Sequence, residues 1–201
     1  MSSADPHLGA VVKRLGEPPM WGRNPGFPAL IRIILEQQVS LAAARTLYLR
    51  LTRHLGAMTP AAVHATRVSG LRDFGLTSQK ASYCHGLAAR VLSGDLDLTM
   101  VARSPDAVGR QLLLDVPGIG PWSVDIYYLM ALRRPDVWPQ GDLALASALR
   151  EVKRLDHLPA KEEQQALASE WAPWRSVAAR ILWAHYLAAR GQYRARPAVN
   201  S

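Results

Sequence analysis

The stretch that decides the fold is Leu112 to Asp142, LLLDVPGIGPWSVDIYYLMALRRPDVWPQGD. An apolar helical run ends at Asp115, a Pro-Gly-Ile-Gly hairpin reverses the chain, a second apolar run follows, and a loop delivers a carboxylate at Asp142. Pro117 stops the first helix, because its ring removes an amide donor and disfavours a helical conformation at Val116. Gly118 and Gly120 lack a Cβ and tolerate positive φ, so the amides of Gly118, Ile119 and Gly120 can approach an anion at the start of the next helix. The hairpin therefore reads as a phosphate cradle. Asp142 either caps the helix that follows it, the usual job of an aspartate between a glycine and a helix, or presents an acid to whatever the cradle holds.

Working outward, helical patterns fill the chain. Upstream, Pro6 to Leu15 is followed by a turn-rich segment, Glu17 to Pro28, and then by Phe27 to Gln38, with Phe27, Leu30, Ile31, Ile34 and Leu35 at helical spacing. Ser40 caps Leu41 to Leu55, Gly56 closes that helix, and Thr59-Pro60 opens the next in the N-cap and first-turn positions. The same signature recurs at Ser104-Pro105 and predicts a helix from Pro105 to Leu114; Val68 to Phe74 and Ser78 to Leu92 lie between. Downstream, the spacing predicts Trp122 to Leu132, stopped at Pro135, then Leu143 to Val152, Ala160 to Trp171 and Trp174 to Ala189, with a mobile tail from Gly191 to Ser201. No alternating strand pattern or repeat appears, so the expected class is all-α. The 201 residues, 49% apolar, suffice for one domain of two small lobes, about 1–40 with 136–201, and 41–135.

A formal charge of +8, with 24 Lys and Arg, favours a polyanionic partner, or else serves solubility alone. Cys84 is the single cysteine, which excludes an intrachain disulfide, a zinc ribbon and a four-cysteine iron-sulfur cluster. The histidines form no H-E-x-x-H pattern, and Ser123 stands at the third glycine position of what begins as a dinucleotide fingerprint with no strand before it. No run approaches the ~20 apolar residues of a membrane span and the N-terminus lacks a signal-peptide core, so no membrane partner and a cytoplasmic, nucleoid-associated location are expected.

The segment VPGIGPWSVDIYYLMAL followed by WPQGD resembles the helix-hairpin-helix (HhH-GPD) DNA glycosylases, in the 3-methyladenine DNA glycosylase II, or AlkA-like, branch. Supporting matches are ILEQQVS at Ile34 to Ser40, GLTSQKASYCHGLA at Gly75 to Ala88 and WAPWRSVAARILWAHY at Trp171 to Tyr186. The resemblance implies a two-lobed all-α fold. Because 26 residues precede Phe27, no extra N-terminal β domain is expected.

The resemblance also implies a chemistry. Breaking the bond from C1′ to a base nitrogen builds positive charge on the sugar, and a carboxylate beside C1′ stabilises it; the matching residue is Asp142, 22 residues beyond Gly120. Alkylated double-stranded DNA is the implied partner, and a monomer is expected. Bifunctional members carry a nucleophilic lysine two residues after the second hairpin glycine. Here Trp122 stands there and cannot form a Schiff base, so hydrolysis without strand cleavage is implied. A flipped, electron-poor base stacks on aromatic faces; Trp122, Tyr127, Trp183 and Trp21 are the candidates, against the alternative that each packs in the core, where Trp171 and Trp174 are placed. Gln38 matches the side chain that plugs the hole left by the flipped base, or else it ends a helix together with Gln37. No cofactor is required, although the family hairpin holds a monovalent cation, Na+ or K+, through carbonyls matching Leu114, Val116 and Ile119. Arg45, Lys80, Arg133, Arg134 and Arg175 are candidate phosphate contacts or solvated charges. A non-catalytic module that binds bent or damaged DNA through the same hairpin is the rival reading.

Overall fold

The computed structural model describes residues 5–193, and among them every regular element is helical. The order is α1 (Pro6–Leu15), α2 (Phe27–Glu36), α3 (Leu41–Leu55), α4 (Pro60–Ala65), α5 (Arg67–Asp73), α6 (Ser78–Ser93), α7 (Leu98–Arg103), α8 (Asp106–Leu114), α9 (Pro121–Ile126), a π-helical turn (Tyr127–Ala131), α10 (Leu143–Lys153), α11 (Lys161–Ser169) and α12 (Arg175–Ala189). Among the described residues, no helix is long and apolar enough to cross a membrane. The expected tail, with Arg194, Arg196 and Pro197, lies outside the described residues beyond Tyr193.

Local chemistry sets most boundaries. Ser40 Oγ accepts the Ala43 amide, Thr59 Oγ1 the Ala62 amide and Thr77 Oγ1 the Lys80 amide, each satisfying an N–H that the first turn leaves without a partner. Helix α8 departs from expectation: Pro105 itself is the N-cap residue and Ser104 makes no capping bond. Helix α7 was not anticipated, although Asp97 caps it by accepting the amides of Thr99 and Met100. The run after the hairpin begins at Pro121 and widens at Tyr127 into a π turn, a wider winding that concentrates at functional sites.

The chain divides into two compact units, residues 1–22 with 128–201, and residues 23–127. These boundaries replace the expected ones at 40/41 and 135/136. Helix α2 packs on α3, α6 and α9, which draws it into the central unit, and the chain leaves that unit within the helical run after the hairpin. In the central unit, Leu30, Ile34, Leu51, Leu71, Leu87 and Leu113 are fully buried, with α6 the element on which α2, α4 and α5 all lie. In the other unit, α12 packs on α1, α10 and α11 around Leu8, Leu145, Leu149 and Leu182.

Helix α1 is fastened there by one carboxylate. Asp5 Oδ1 accepts the amides of His7 and Leu8, and its Oδ2 accepts the Lys153 ammonium and the Trp171 indole N–H, both at 2.8 Å. Burial alone would raise the Asp5 pKa, but the bonds from Lys153 and Trp171 outweigh it and hold the group below its ordinary 3.8.

Candidate active site

Asp142 is the N-cap of α10: its Oδ1 accepts the Leu145 amide at 2.9 Å and the Trp183 indole N–H at 3.3 Å. The carboxylate is 9% exposed and Trp183 is 8% exposed. Both residues lie in the unit of residues 1–22 with 128–201, where α10 and α12 pack together. The bonds from the Leu145 amide and the Trp183 indole N–H fix the direction of the carboxylate. Arg180, one turn before Trp183, went unnoticed in the sequence; it is 5% exposed and donates to the Leu129 carbonyl of the π turn at 2.9 Å. No sequence signal marks a buried arginine in such a role.

The hairpin belongs to the central unit. Gly118 has φ +88°, and a Cβ there would meet the Tyr83 ring, so both conformation and space demand glycine. Gly120 behaves otherwise: its φ of −93° is open to any residue, and among the described residues nothing beyond its chain neighbours lies within 4 Å of where its Cβ would be. Ile119 is buried and its amide donates to the Val116 carbonyl at 3.0 Å, which closes the turn and removes that amide from the expected phosphate cradle. Two helices flank the hairpin, and the buried Asp125 of α9 pairs with Arg110 of α8 and ties them together.

Leu114 ends α8, where helix-terminal carbonyls concentrate partial negative charge. The Leu114, Val116 and Ile119 carbonyls are neutral oxygens, a donor chemistry that suits a hard cation such as Na+ or K+. Among the described residues, no group of three or more His, Cys, Asp or Glu gathers to hold a metal ion.

The aromatic candidates separate. Tyr127 is 0% exposed and its hydroxyl accepts the Gly26 amide at 3.0 Å, so it is a packing residue of the central unit and presents no face to a base. Trp122 is half-buried on the first turn of α9. Trp21, at φ +44°, meets Tyr193 edge to face at 6.2 Å. Trp171 is core as expected, whereas Trp174 is 54% exposed.

The basic candidates separate as well. Lys80 turns inward and donates to the Leu35 and Gln37 carbonyls at 2.7 Å each, and Arg175 forms a two-pronged pair with Asp136 at 2.7 and 2.9 Å. Arg45 and Arg133 are exposed. Gln38 is exposed at φ +57° in the turn after α2, while its neighbour Gln37 is tied to the hairpin. Burial pushes the Cys84 thiol up to about 12, against a smaller opposing effect of Lys80, which leaves it no nucleophilic role.

A family model described as "HhH-GPD superfamily base excision DNA repair protein" matches residues 31–173, a span that holds the hairpin and Asp142. The chain belongs to this superfamily. Relatives among curated proteins include a putative DNA-3-methyladenine glycosylase of Bacillus subtilis, 28% identical over 78% of this chain and 58% of its own length. A DNA-3-methyladenine glycosylase of the same organism is 26% identical over 91% of this chain and 64% of its own length. A probable bifunctional transcriptional activator/DNA repair enzyme AlkA of Mycobacterium tuberculosis is 31% identical over 90% of this chain and 40% of its own. The chain thus spans less than two thirds of each of these relatives. Among solved structures, the 3-methyladenine DNA glycosylase of Schizosaccharomyces pombe in complex with abasic DNA superposes with TM-score 0.81 at 25% identity, covering 90% of this chain and 95% of that one. The 8-oxoguanine glycosylase/lyase of Clostridium acetobutylicum gives TM-score 0.80 at 16% identity, over 94% of this chain and 68% of that one, a likeness of fold alone.

Proposed function

We propose that this HhH-GPD chain is a monofunctional DNA glycosylase that hydrolyses the N-glycosidic bond of alkylated purines of the 3-methyladenine type. The observation that carries the reading is Asp142: a nearly buried carboxylate at a helix N-terminus, aimed by the Leu145 amide and the Trp183 indole N–H. Fixed charge of this kind, already oriented and largely out of water, is what stabilises a cation that exists only in the transition state. The names of the relatives support the substrate class.

In this reading the Gly118 to Gly120 hairpin grips a phosphate, and the open space beside Gly120 lets a backbone approach. A cation on the Leu114, Val116 and Ile119 carbonyls would screen the phosphate charge. Gln38 fills the gap in the stack, and Trp122, Trp183 and Trp21 are the aromatic faces for the extruded base. The alkylated purine leaves with the electrons of the C1′–N bond and becomes neutral. Asp142 stabilises the sugar cation and orients a water, whose oxygen bonds to C1′ and whose proton passes to the carboxylate or to solvent. Trp122 occupies the lyase-lysine position, so the strand stays intact. The reading places the protein on chromosomal DNA in the cytoplasm as a monomer.

The test is incubation with duplex DNA carrying defined methylated purines. Free methylated base and abasic sites that break only on alkaline heating are expected, with no adduct trapped by borohydride. Tight binding without base release would favour a non-catalytic lesion-binding module, and efficient trapping would reveal an amine nucleophile.

A further inference from the structure

The turn that carries Gln38 is held unusually firmly for an exposed segment. Gln38 is neither glycine nor asparagine, yet it sits at φ +57°, a left-handed conformation unfavourable for an ordinary residue. Such a conformation persists where the surroundings over-determine it, and here two sets of bonds do so. Lys80 of α6 places its ammonium on the carbonyls of Leu35 and Gln37, capping the C-terminus of α2 with a positive charge. From the other side, Gln37 Nε2 donates to the Gly118 carbonyl at 2.8 Å and to Ser123 Oγ at 2.9 Å. Gly118 is the hairpin residue pinned by its own φ and by the Tyr83 ring, and Ser123 lies on the first turn of α9.

The side chain of Gln37 therefore joins the exposed Gln38 turn to the phosphate-binding hairpin across 81 positions of sequence, all within the central unit. Immediately beyond Gln38, Val39 and Leu41 are 47% and 60% exposed, so apolar surface flanks the turn. We propose that Gln37 is a positioning residue that locks the Gln38 turn to the Gly118 hairpin, so that phosphate capture and insertion of the Gln38 turn into the base stack occur as one event. This rests on the reading of the chain as a protein that opens duplex DNA. Gln37 touches no reacting atom; it sets where its neighbour stands relative to the bound phosphate.

The experiment uses the full chain and a duplex with 2-aminopurine beside a tetrahydrofuran abasic-site analogue. Duplex affinity is read by anisotropy and unstacking by the rise in 2-aminopurine fluorescence. Gln37→Met keeps the side-chain volume without the donors and guards against a packing defect in Gln37→Ala. Both variants are expected to lower the unstacking equilibrium about tenfold, the equivalent of ~1.4 kcal/mol, with duplex affinity within about threefold of wild type. Gln38→Ala is expected to act similarly, and Gln37→Met with Gln38→Ala to be no worse than the stronger single change, the non-additivity of two residues on one path. Independent, multiplying effects would overturn the coupling, as would parallel losses of affinity and unstacking. Normal unstacking by Gln37→Met would overturn it too while leaving the glycosylase reading intact. Wild-type protein that binds but never unstacks would remove both.

Discussion

Replacing Gly118 with alanine tests the architecture of the hairpin. The added Cβ would lie 2.8 Å or less from Cβ, Cγ and Cδ2 of Tyr83, whereas carbon atoms rest at about 3.5–4.0 Å. The ring would have to withdraw by roughly 1.5 Å, although its hydroxyl is held by Gln79 Nε2 at 2.8 Å. The φ of +88° adds a second cost. A left-handed non-glycine residue costs about 1–2 kcal/mol and overpacking about 1–3 kcal/mol, so the substitution should destabilise the protein by about 2–5 kcal/mol. Urea unfolding followed by tryptophan fluorescence measures this, and a Tyr83→Ala background separates the two parts. Without the ring the conformational cost remains together with the 2.8 Å approach to the Tyr83 Cβ, so Gly118→Ala should there cost less than in the wild-type background, about 1–3 kcal/mol. The same cost in both backgrounds would refute the steric argument, and a cost below about 0.5 kcal/mol in the wild-type background would refute both.

Two further outcomes follow from charges already placed. Trp183→Phe keeps a ring in α12 but removes the indole donor from Asp142; because the 3.3 Å bond is long and the Leu145 amide remains, single-turnover base release should fall about 5–10-fold, with duplex affinity unchanged. Asp5, whose pKa is depressed below 3.8 by Lys153 and Trp171 against the opposing effect of burial, adds stability that is present above its unfolded pKa and lost as pH falls through the folded value. Wild type should therefore lose stability more steeply than Asp5→Asn from about pH 5 downward, as followed by denaturant midpoints across that range.

Much of the fold was legible because its signals are local. Ser40, Thr59 and Asp142 cap where a polar side chain before an apolar run should, and Pro117 with Gly118 marks the hairpin. Helix α7 carries a local signal in Asp97, but its six residues give too short a run for periodicity to mark it. The π turn at Tyr127 to Ala131 was not legible, since an apolar run reads alike at either winding. The site divides along the same line. Asp142 reads as a helix cap, which the structure shows at the Leu145 amide, and its acid role comes from the family resemblance; Tyr127 reads the same as a stacking aromatic in sequence, and only its hydroxyl accepting the Gly26 amide marks it as a packing residue. Lys80 read as a surface cation because its partners are backbone carbonyls, which leave no trace in sequence. The lobe boundary was misplaced at residue 40 because the packing of α2 on α6 depends on tertiary contacts alone.

Single-turnover base release by Asp142→Asn decides whether the Asp142 charge drives the reaction. The asparagine keeps the size of the side chain and an oxygen for the Leu145 amide and the Trp183 indole, so the fold and the affinity for alkylated duplex DNA should remain while the charge facing the sugar is lost. Release of 3-methyladenine should fall about 10²–10³-fold with duplex affinity unchanged. Release within tenfold of wild type would mean that another group stabilises the sugar cation and that Asp142 is a helix cap alone.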